Sequence, residues 1–365
     1  MQDSKSFDEP NIDEKFLQLL RFAIHAEGHP PRIETEEWRA IFEIGKKQSV
    51  LGVLFEAVRR MGKDATIPRQ LKMNWFFLVN KIRTRNMLLN QKSAELVQMF
   101  RKDGLRCCVL KGQGNAMMYP DPFLRSSGDI DLQVEGGMDR VLEYVRKRFP
   151  HTKTAYQHVD YPVFKNVPVE VHYLPSYLNN PMYNQRLKTW FDTHYEDIYA
   201  HEVIFPDGVR IPVPTLEFNI VFQLAHLMHH FFDEGIGLRQ MIDYYYLLMR
   251  VHQEGLSLNM LPNLLDYLGL RKFAGAVMYI MHDVLGMEER FLIVPVDKRR
   301  GETLLNEIQR GGNFGKYSGL TDHSLLSKHL LKYWRTIHYM RQYPAEALCE
   351  PVFRTWHYFW RWKHS

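Results

Sequence analysis

The sequence has few cysteines: three in 365 residues, with Cys107 and Cys108 adjacent and Cys349 far along the chain. This spacing gives neither a disulfide framework nor a zinc pattern, so it indicates a reducing compartment. The N-terminal segment lacks the basic start and the apolar stretch of a secretory signal. We therefore expect a cytoplasmic protein.

Long hydrophobic runs are also missing, since no segment reaches the roughly 18 uninterrupted apolar residues of a membrane-spanning helix. There is no internal repeat and no low-complexity tract. The charge excess is small, +5 from 47 basic and 42 acidic residues, so it gives no strong nucleic-acid signal. The hydrophobic content of 45% is sufficient for a folded core. Nothing in the composition sets an oligomeric state.

The spacing of apolar residues changes twice along the chain. Residues 11–104 have helical spacing, including a long helix over 71–102, and helical spacing returns from residue 215. Between them lie short β-rich runs separated by turn residues: CCVLKG, DIDLQV, YPVFKN and VPVEVHYL. We therefore predict an α+β fold in which a mixed sheet with flanking helices is embedded between helical regions. The predicted boundaries are 1–104 for the N-terminal helical region, 105–214 for the α/β core and 215–365 for the C-terminal helical region.

The tail from Tyr317 to Ser365 is rich in aromatic and basic residues. A basic aromatic stripe can lie on a membrane surface. We favour a terminal helix that docks by its aromatic side and leaves its arginines in solvent.

Two aspartates lie in an alternating segment that runs from Gly128 to Val134. Alternate side chains of a strand share a face, so Asp129 and Asp131 are expected to point together. Two adjacent carboxylates repel unless a cation sits between them, and oxygen ligands of this kind suit Mg²⁺ or Mn²⁺. Replacing Asp131 by Asn is therefore expected to relieve repulsion and leave the metal-free protein folded, or slightly more stable.

A second alternating segment, Val167 to His172, places Glu170 and His172 on one face. If this strand pairs beside the aspartate strand, Glu170 adds a third carboxylate. Three carboxylates can hold two metal ions about 4 Å apart. His172 then orients Glu170 or a phosphate.

Upstream, an apolar strand ends at Lys111, and the small residues Gly112 and Gly114 precede a predicted helix that continues through Met118. Small residues at such a junction let backbone N–H groups approach a phosphate at the helix N-terminus. Lys111 adds a positive charge.

Three histidines, His226, His229 and His230, lie on a predicted helix. The spacing of His226 and His230 permits zinc ligation from one face, but the glutamate of an H-E-x-x-H arrangement is missing. We favour a polar helix face that lines a cleft, with His226 and Asp243 as buried partners or substrate contacts.

Together these residues resemble the polymerase-β-like nucleotidyltransferase superfamily and, within it, the uncharacterised bacterial nucleotidyltransferase family of type five. Two departures stand out: Gly112-Gln113-Gly114 replaces the usual Gly-Ser or Gly-Gly pair, and Gly128 replaces the serine that often precedes the first aspartate. The shared elements are Val109–Gly112, Tyr119-Pro120, Arg125, Asp129–Leu132, Val169–His172, His226 and Leu238–Asp243.

The resemblance implies a metal-dependent transferase that moves a nucleoside monophosphate from a nucleoside triphosphate to a hydroxyl of a small molecule, a sugar or a protein. Asp129, Asp131 and Glu170 are then the catalytic residues and metal ligands. Arg125 suits a phosphate clamp and equally a structural partner of the aspartates. Two alternatives stay open: a non-catalytic nucleotide-binding regulatory module, and a metal hydrolase built on the histidine helix. The implied nucleotide-binding residues are Lys111, Gly112, Gly114, Arg125 and Ser127, and the implied cleft-lining residues are His172, His226 and Asp243.

Overall fold

The computed structural model describes residues 10–315 and 336–364, and the N-terminal part of this range consists of helices. Asn11 begins the first of them because its side chain accepts a hydrogen bond from the Glu14 N–H. The fourth is the predicted long helix, and it ends just before Gly104, whose φ of 74° lies in the region that favours glycine. The bounds are α1 (Ile12–Ile24), α2 (Trp38–Lys47), α3 (Leu51–Met61) and α4 (Arg69–Lys102).

A four-stranded mixed sheet follows, as the β-rich runs predict. Its spatial order is β1-β2-β4-β3; β2 and β4 are parallel and the two outer pairings are antiparallel. In the parallel pairing Asp131 lies opposite Glu170. The strands are β1 (Cys107–Val109), β2 (Ile130–Val134), β3 (His158–Asp160) and β4 (Val169–His172), and a separate hairpin consists of β5 (His201–Ile204) and β6 (Arg210–Val213).

The predicted strand YPVFKN was placed wrongly. The strand that pairs with β4 is His158–Asp160, and residues 161–166 have no strand structure. Pro162 has no N–H to donate to a ladder, so the strand ends before it. As a result His158 lies directly opposite His172.

Helices cover the sheet and form most of the rest of the chain. A π-helical turn, Ile280–Val284, continues α11. Within residues 10–315 and 336–364, no helix is long and apolar enough to cross a membrane. The bounds are α5 (Gln113–Ala116), α6 (Gly137–Arg148), α7 (Pro181–Thr193), α8 (Leu216–Asp233), α9 (Leu238–Gln253), α10 (Leu261–Tyr267), α11 (Arg271–Tyr279), α12 (Lys298–Gly311) and α13 (Pro344–His364).

The terminal helix α13 matches the expected arrangement of the tail in part; residues 317–335 and 365 of the tail lie outside the described ranges. One aromatic edge does dock, since Phe353 contacts the rings of Tyr156 and Tyr177. However, Trp362 is 82% exposed, whereas the Arg354 side chain is largely buried in an ion pair with Glu350. Burial of that carboxylate requires a cationic partner, which draws the arginine inward.

Two hydrophobic clusters hold these elements together. One joins helices from both ends of the chain, for example Leu54 of α3 with Leu224 of α8 and Leu247 of α9. The other lies under the sheet and joins Leu132 and Val171 to Phe100 of α4. The long helix α4 contributes to both clusters, so the two helical regions and the sheet are packed through it. The domain boundaries near 104 and 214 stay a prediction.

Gly52 of α3 allows a close approach that positions the segment leading to Asp129. A Cβ atom at residue 52 would lie 2.0 Å from the carbonyl oxygen of Leu124. We expect Gly52→Ala to lower the free energy of unfolding by about 1–3 kcal/mol, as overpacking does. Urea denaturation measures this. The control is Gly311→Ala, where a Cβ meets nothing within 4 Å; equal stability of the two variants would contradict the close approach.

Candidate active site

A cavity of about 990 Å³ lies between the polar face of the sheet and helices α8, α9 and α13. Gly114 and His172 do not line it: Gly114 lies in α5, and His172 is fully buried. The structure therefore brings most of the predicted site residues to one cavity. Those that line it are Lys111, Gly112, Arg125, Ser127, Asp129, Asp131, Glu170, His226 and Asp243.

The three carboxylates converge through the pairing of β2 with β4. Nε2 of His172 lies 3.0 Å from Oδ1 of Asp131 and 3.5 Å from Oε2 of Glu170, so one nitrogen contacts both carboxylates. Asp129 directly precedes β2 and faces the same cavity. Asp129 and Asp131 therefore face the same cavity, as the alternation in the sequence predicts.

Lys111 brings a positive charge into this cluster. Its Nζ atom lies 3.2 Å from Oδ1 of Asp131 and 2.9 Å from Nε2 of His226. Burial and the charge of Lys111 hold the pKa of His226 well below its usual value. His226 is thus neutral and accepts a hydrogen bond from Lys111.

The two aspartates differ in their electrostatics. The negative charge of Asp131 and, second, burial raise the pKa of Asp129. Burial also acts to raise the pKa of Asp131, but Lys111 and the hydrogen bond from His172 outweigh it and hold that pKa below its usual value. Asp131 is therefore a paired, ionised group, and Asp129 carries most of the repulsion in the cluster.

Glu170 lies between His158 and His172, whose pKa values shift in opposite directions. Burial opposes ionisation of Glu170, yet hydrogen bonding with His172 lowers its pKa overall. Burial also opposes the charge on His172, but hydrogen bonds to Asp131 and Glu170 raise the pKa of that imidazole. Burial and, next, the charge of His172 lower the pKa of His158 to about 4, so His158 is neutral at pH 7.

Arg125 pairs with Asp243 rather than with the site aspartates. Two parallel hydrogen bonds of 2.7 Å join its guanidinium to the Asp243 carboxylate, and both side chains are buried. Tyr119 donates to the same carboxylate at 2.7 Å, and Arg125 also donates to the Ser127 hydroxyl at 3.0 Å. This network holds the segment before Asp129 against α9. Asp243 and His226 are both buried, each with its own cationic partner.

The glycine junction is shorter than predicted. Gly112 has a φ of 52° and lines the cavity, but α5 contains only residues Gln113–Ala116 and does not continue through Met118. Pro120 disfavours helical geometry at the residue before it, which limits the helix. At Gly114 a Cβ would lie 3.0 Å from a methyl of Val213, so that glycine serves packing.

Two cavity residues, Arg239 and His158, were not singled out from the sequence. Arg239 donates to the Ser126 carbonyl at 3.0 Å, and its Nε atom is buried without a hydrogen-bond partner. The sequence signal for His158 is the alternation of His158 and Asp160 opposite Glu170 and His172. The sequence analysis predicted the strand at YPVFKN, three residues later, so His158 was not expected to lie on the sheet.

Of the comparisons with known proteins, a family model supports the resemblance. The family model described as an uncharacterised nucleotidyltransferase matches residues 34–286. No curated protein matches the chain. Among solved structures, an antigenic nucleotidyltransferase-like protein from Paracoccidioides brasiliensis is 12% identical; the match covers 50% of this chain and 93% of that chain, with a TM-score of 0.29.

The opposite pKa shifts of the aspartates change the expectation for Asp131→Asn. In metal-free buffer at pH 7 we expect Asp129→Asn to raise the melting temperature, because it removes the repelled charge, and Asp131→Asn to lower it, because it removes a paired one. The gain from Asp129→Asn should be largest at neutral pH. It should fade as the pH falls toward the ordinary aspartate pKa of about 3.9, where Asp129 becomes protonated in both states. Thermal melts of both variants in the presence of a chelator test this prediction. Equal changes in melting temperature would contradict the assignment of Asp129 as the repelled carboxylate and Asp131 as the paired one.

The buried pair of Arg125 and Asp243 yields a second prediction. Asp243→Asn leaves the guanidinium buried with reduced compensation, so we expect a loss of about 3–5 kcal/mol in unfolding free energy. Arg125 holds the pKa of Asp243 down against burial. This contribution is therefore present above the unfolded aspartate pKa and lost as the pH falls through the lower folded value.

The matched control is Asp266→Asn. Asp266 pairs with Arg271 at 2.5 Å on the surface, where the side chains are 57% and 41% exposed. We expect a loss of about 0–1 kcal/mol there. If urea denaturation gives similar losses of unfolding free energy for Asp243→Asn and Asp266→Asn, the Arg125–Asp243 pair does not hold the segment before Asp129.

Proposed function

The chain belongs to the family of uncharacterised nucleotidyltransferases, and we propose that it transfers a nucleoside monophosphate from a nucleoside triphosphate to a hydroxyl of an acceptor. Asp129, Asp131 and Glu170 hold the divalent metal in this proposal. The observation that carries it is the parallel β2–β4 register, which places Asp131 beside Glu170 at the cavity that Asp129 also lines.

The donor set fits Mg²⁺ or Mn²⁺. Carboxylate oxygens are the ligands that these ions prefer, and the ions take substrate phosphates as further ligands. Asp129 fits a cation best, since the charge of Asp131 raises its pKa in the metal-free protein. When bound, the metal neutralises charge on the phosphates and lowers the pKa of the attacking hydroxyl.

Two cations lie near Asp129 and suit the triphosphate. Lys111 and Arg239 both act electrostatically on this carboxylate, and both line the cavity. The fork of Arg125 is occupied by Asp243, so we assign the phosphate contact expected of Arg125 to Arg239. Gly112 lines the same region without a side chain, which leaves the backbone accessible to a phosphate.

The reaction requires in-line displacement at the α-phosphorus. The acceptor oxygen forms a bond to this phosphorus while the bond to the pyrophosphate oxygen breaks, and the pyrophosphate leaves with the electron pair. Glu170 is ionised at neutral pH, because its folded pKa is lowered, and it accepts the proton of the acceptor hydroxyl. The protein thus contributes positioning and charge compensation.

A hydrolase built on the histidine helix has less support. Nε2 of His226 accepts a hydrogen bond from Lys111, so this nitrogen faces an ammonium group. A group of metal-ligating side chains does occur within residues 10–315 and 336–364, but it consists of His158, Glu170 and His172 on the sheet.

The proposal is tested with α-labelled nucleoside triphosphates, Mg²⁺ and a panel of hydroxyl acceptors. Glu170→Gln should reduce transfer at least about 100-fold, because loss of a metal ligand exceeds the effect of losing a supporting partner. The control is Glu143→Gln on α6, where the side chain is 66% exposed. Full transfer by Glu170→Gln would refute the site. Nucleotide binding with Mg²⁺ but without transfer to any acceptor would favour the regulatory module.

A further inference from the structure

The polar face of the sheet carries nitrogen ligands beside its carboxylates. His158 and His172 are cross-strand neighbours on β3 and β4, and Glu170 lies on the same face of β4. Directly opposed residues in a sheet, and residues two apart in a strand, point to one side. One ligand atom from each of the three side chains lies within 4.8 Å of the other two.

The two distances from Glu170 to the histidines match a coordination shell, and the two histidine nitrogens lie within 4.8 Å of each other. Oε2 of Glu170 lies 3.3 Å from Nδ1 of His158 and 3.5 Å from Nε2 of His172. Ligands about 2.0–2.1 Å from a tetrahedral metal are about 3.3–3.4 Å from one another. Nδ1 of His158 is buried and makes no hydrogen bond, even though the carboxylate oxygen is near. It therefore has a free coordination position 3.3 Å from Oε2 of Glu170.

We propose that His158, Glu170 and His172 bind one divalent transition-metal ion of the zinc class. This inference deepens the proposed function, since Glu170 is shared with the Mg²⁺ ligands Asp129 and Asp131. Imidazole nitrogens select Zn²⁺ and Co²⁺ over Mg²⁺, whereas the two aspartates offer oxygen alone. Three protein ligands leave a fourth position for water or a substrate oxygen.

Binding requires the Nε2 atom of His172 to lose its proton. Nε2 of His172 hydrogen-bonds Asp131 at 3.0 Å in the metal-free protein. A nitrogen ligates a metal only in its deprotonated form, so the ion takes the place of this proton, which passes to solvent. The positive charge of the ion then lies beside Asp131 and Glu170.

The experiment uses the full chain, freed of metal by a chelator. Co²⁺ is titrated in and followed by its visible d–d absorption, and Zn²⁺ affinity is obtained by competition. We expect one equivalent of Co²⁺ at the group and Zn²⁺ binding that millimolar Mg²⁺ does not displace. His158→Gln should weaken Zn²⁺ binding at least about 10- to 100-fold. His158→Asp, which restores a ligand, should recover part of the affinity.

Two controls isolate the group from other histidines. His151 is exposed, so His151→Gln should leave Co²⁺ absorption unchanged. His230→Gln tests the histidine helix, and it should also leave the absorption unchanged. The inference is overturned if His158→Gln binds Zn²⁺ as tightly as the parent, or if His230→Gln is the variant that loses the metal. It is also overturned if millimolar Mg²⁺ displaces Zn²⁺ from the parent.

Asp129→Asn separates this inference from the proposed function. This variant should lose nucleotidyl transfer and keep the Co²⁺ spectrum, because Asp129 lies outside the nitrogen group. A parent protein that binds Co²⁺ with the expected spectrum but transfers no nucleotide contradicts the proposed function alone. A parent that transfers nucleotides with Mg²⁺ and binds neither Co²⁺ nor Zn²⁺ contradicts the metal inference alone.

Discussion

The parallel pairing of β2 with β4 is the constraint on which the candidate site depends. It sets Asp131 opposite Glu170 and Gln133 opposite His172. Since a strand turns alternate side chains to opposite faces, a shift of one residue would move Glu170 into the apolar layer under the sheet. Leu132 and Val171 are buried in that layer, so the hydrophobic effect favours the observed register. The polar site therefore takes its geometry from the apolar side of the same strands.

The site compensates its negative charge with groups from separate parts of the fold. Lys111 follows β1, His172 ends β4 and Arg239 lies on α9. Buried carboxylates are costly unless they are paired. Burial raises the pKa of Asp131, but pairing with Lys111 and His172 outweighs burial and lowers it. Asp129 is left with the raised pKa, because the charge of Asp131 and burial oppose its ionisation. In the proposed function, the pair of aspartates that sets this electrostatic penalty is also the pair that holds the metal.

The helical regions hold the site together as much as the sheet does. Arg125 and Asp243 join the segment before β2 to α9 through a buried bidentate pair. Gly52 lets α3 approach the same segment closely at Leu124. A buried ion pair adds little net stability over apolar packing, but it is costly to break and specifies one arrangement. This explains how a segment with little regular structure can hold Asp129 in place.

The sequence by itself determined the α+β class, the long helix α4, the alternation that joins Asp129 to Asp131 and the face shared by Glu170 and His172. Each depends on the local period of helix or strand, which neighbouring residues carry. Only the tertiary structure decided that Arg125 binds Asp243, that Arg239 lines the cavity and that His158 lies beside Glu170. These pairs are distant in sequence or depend on where a strand ends. Their side chains meet because the apolar packing and the strand register bring them together, and no local pattern encodes that proximity.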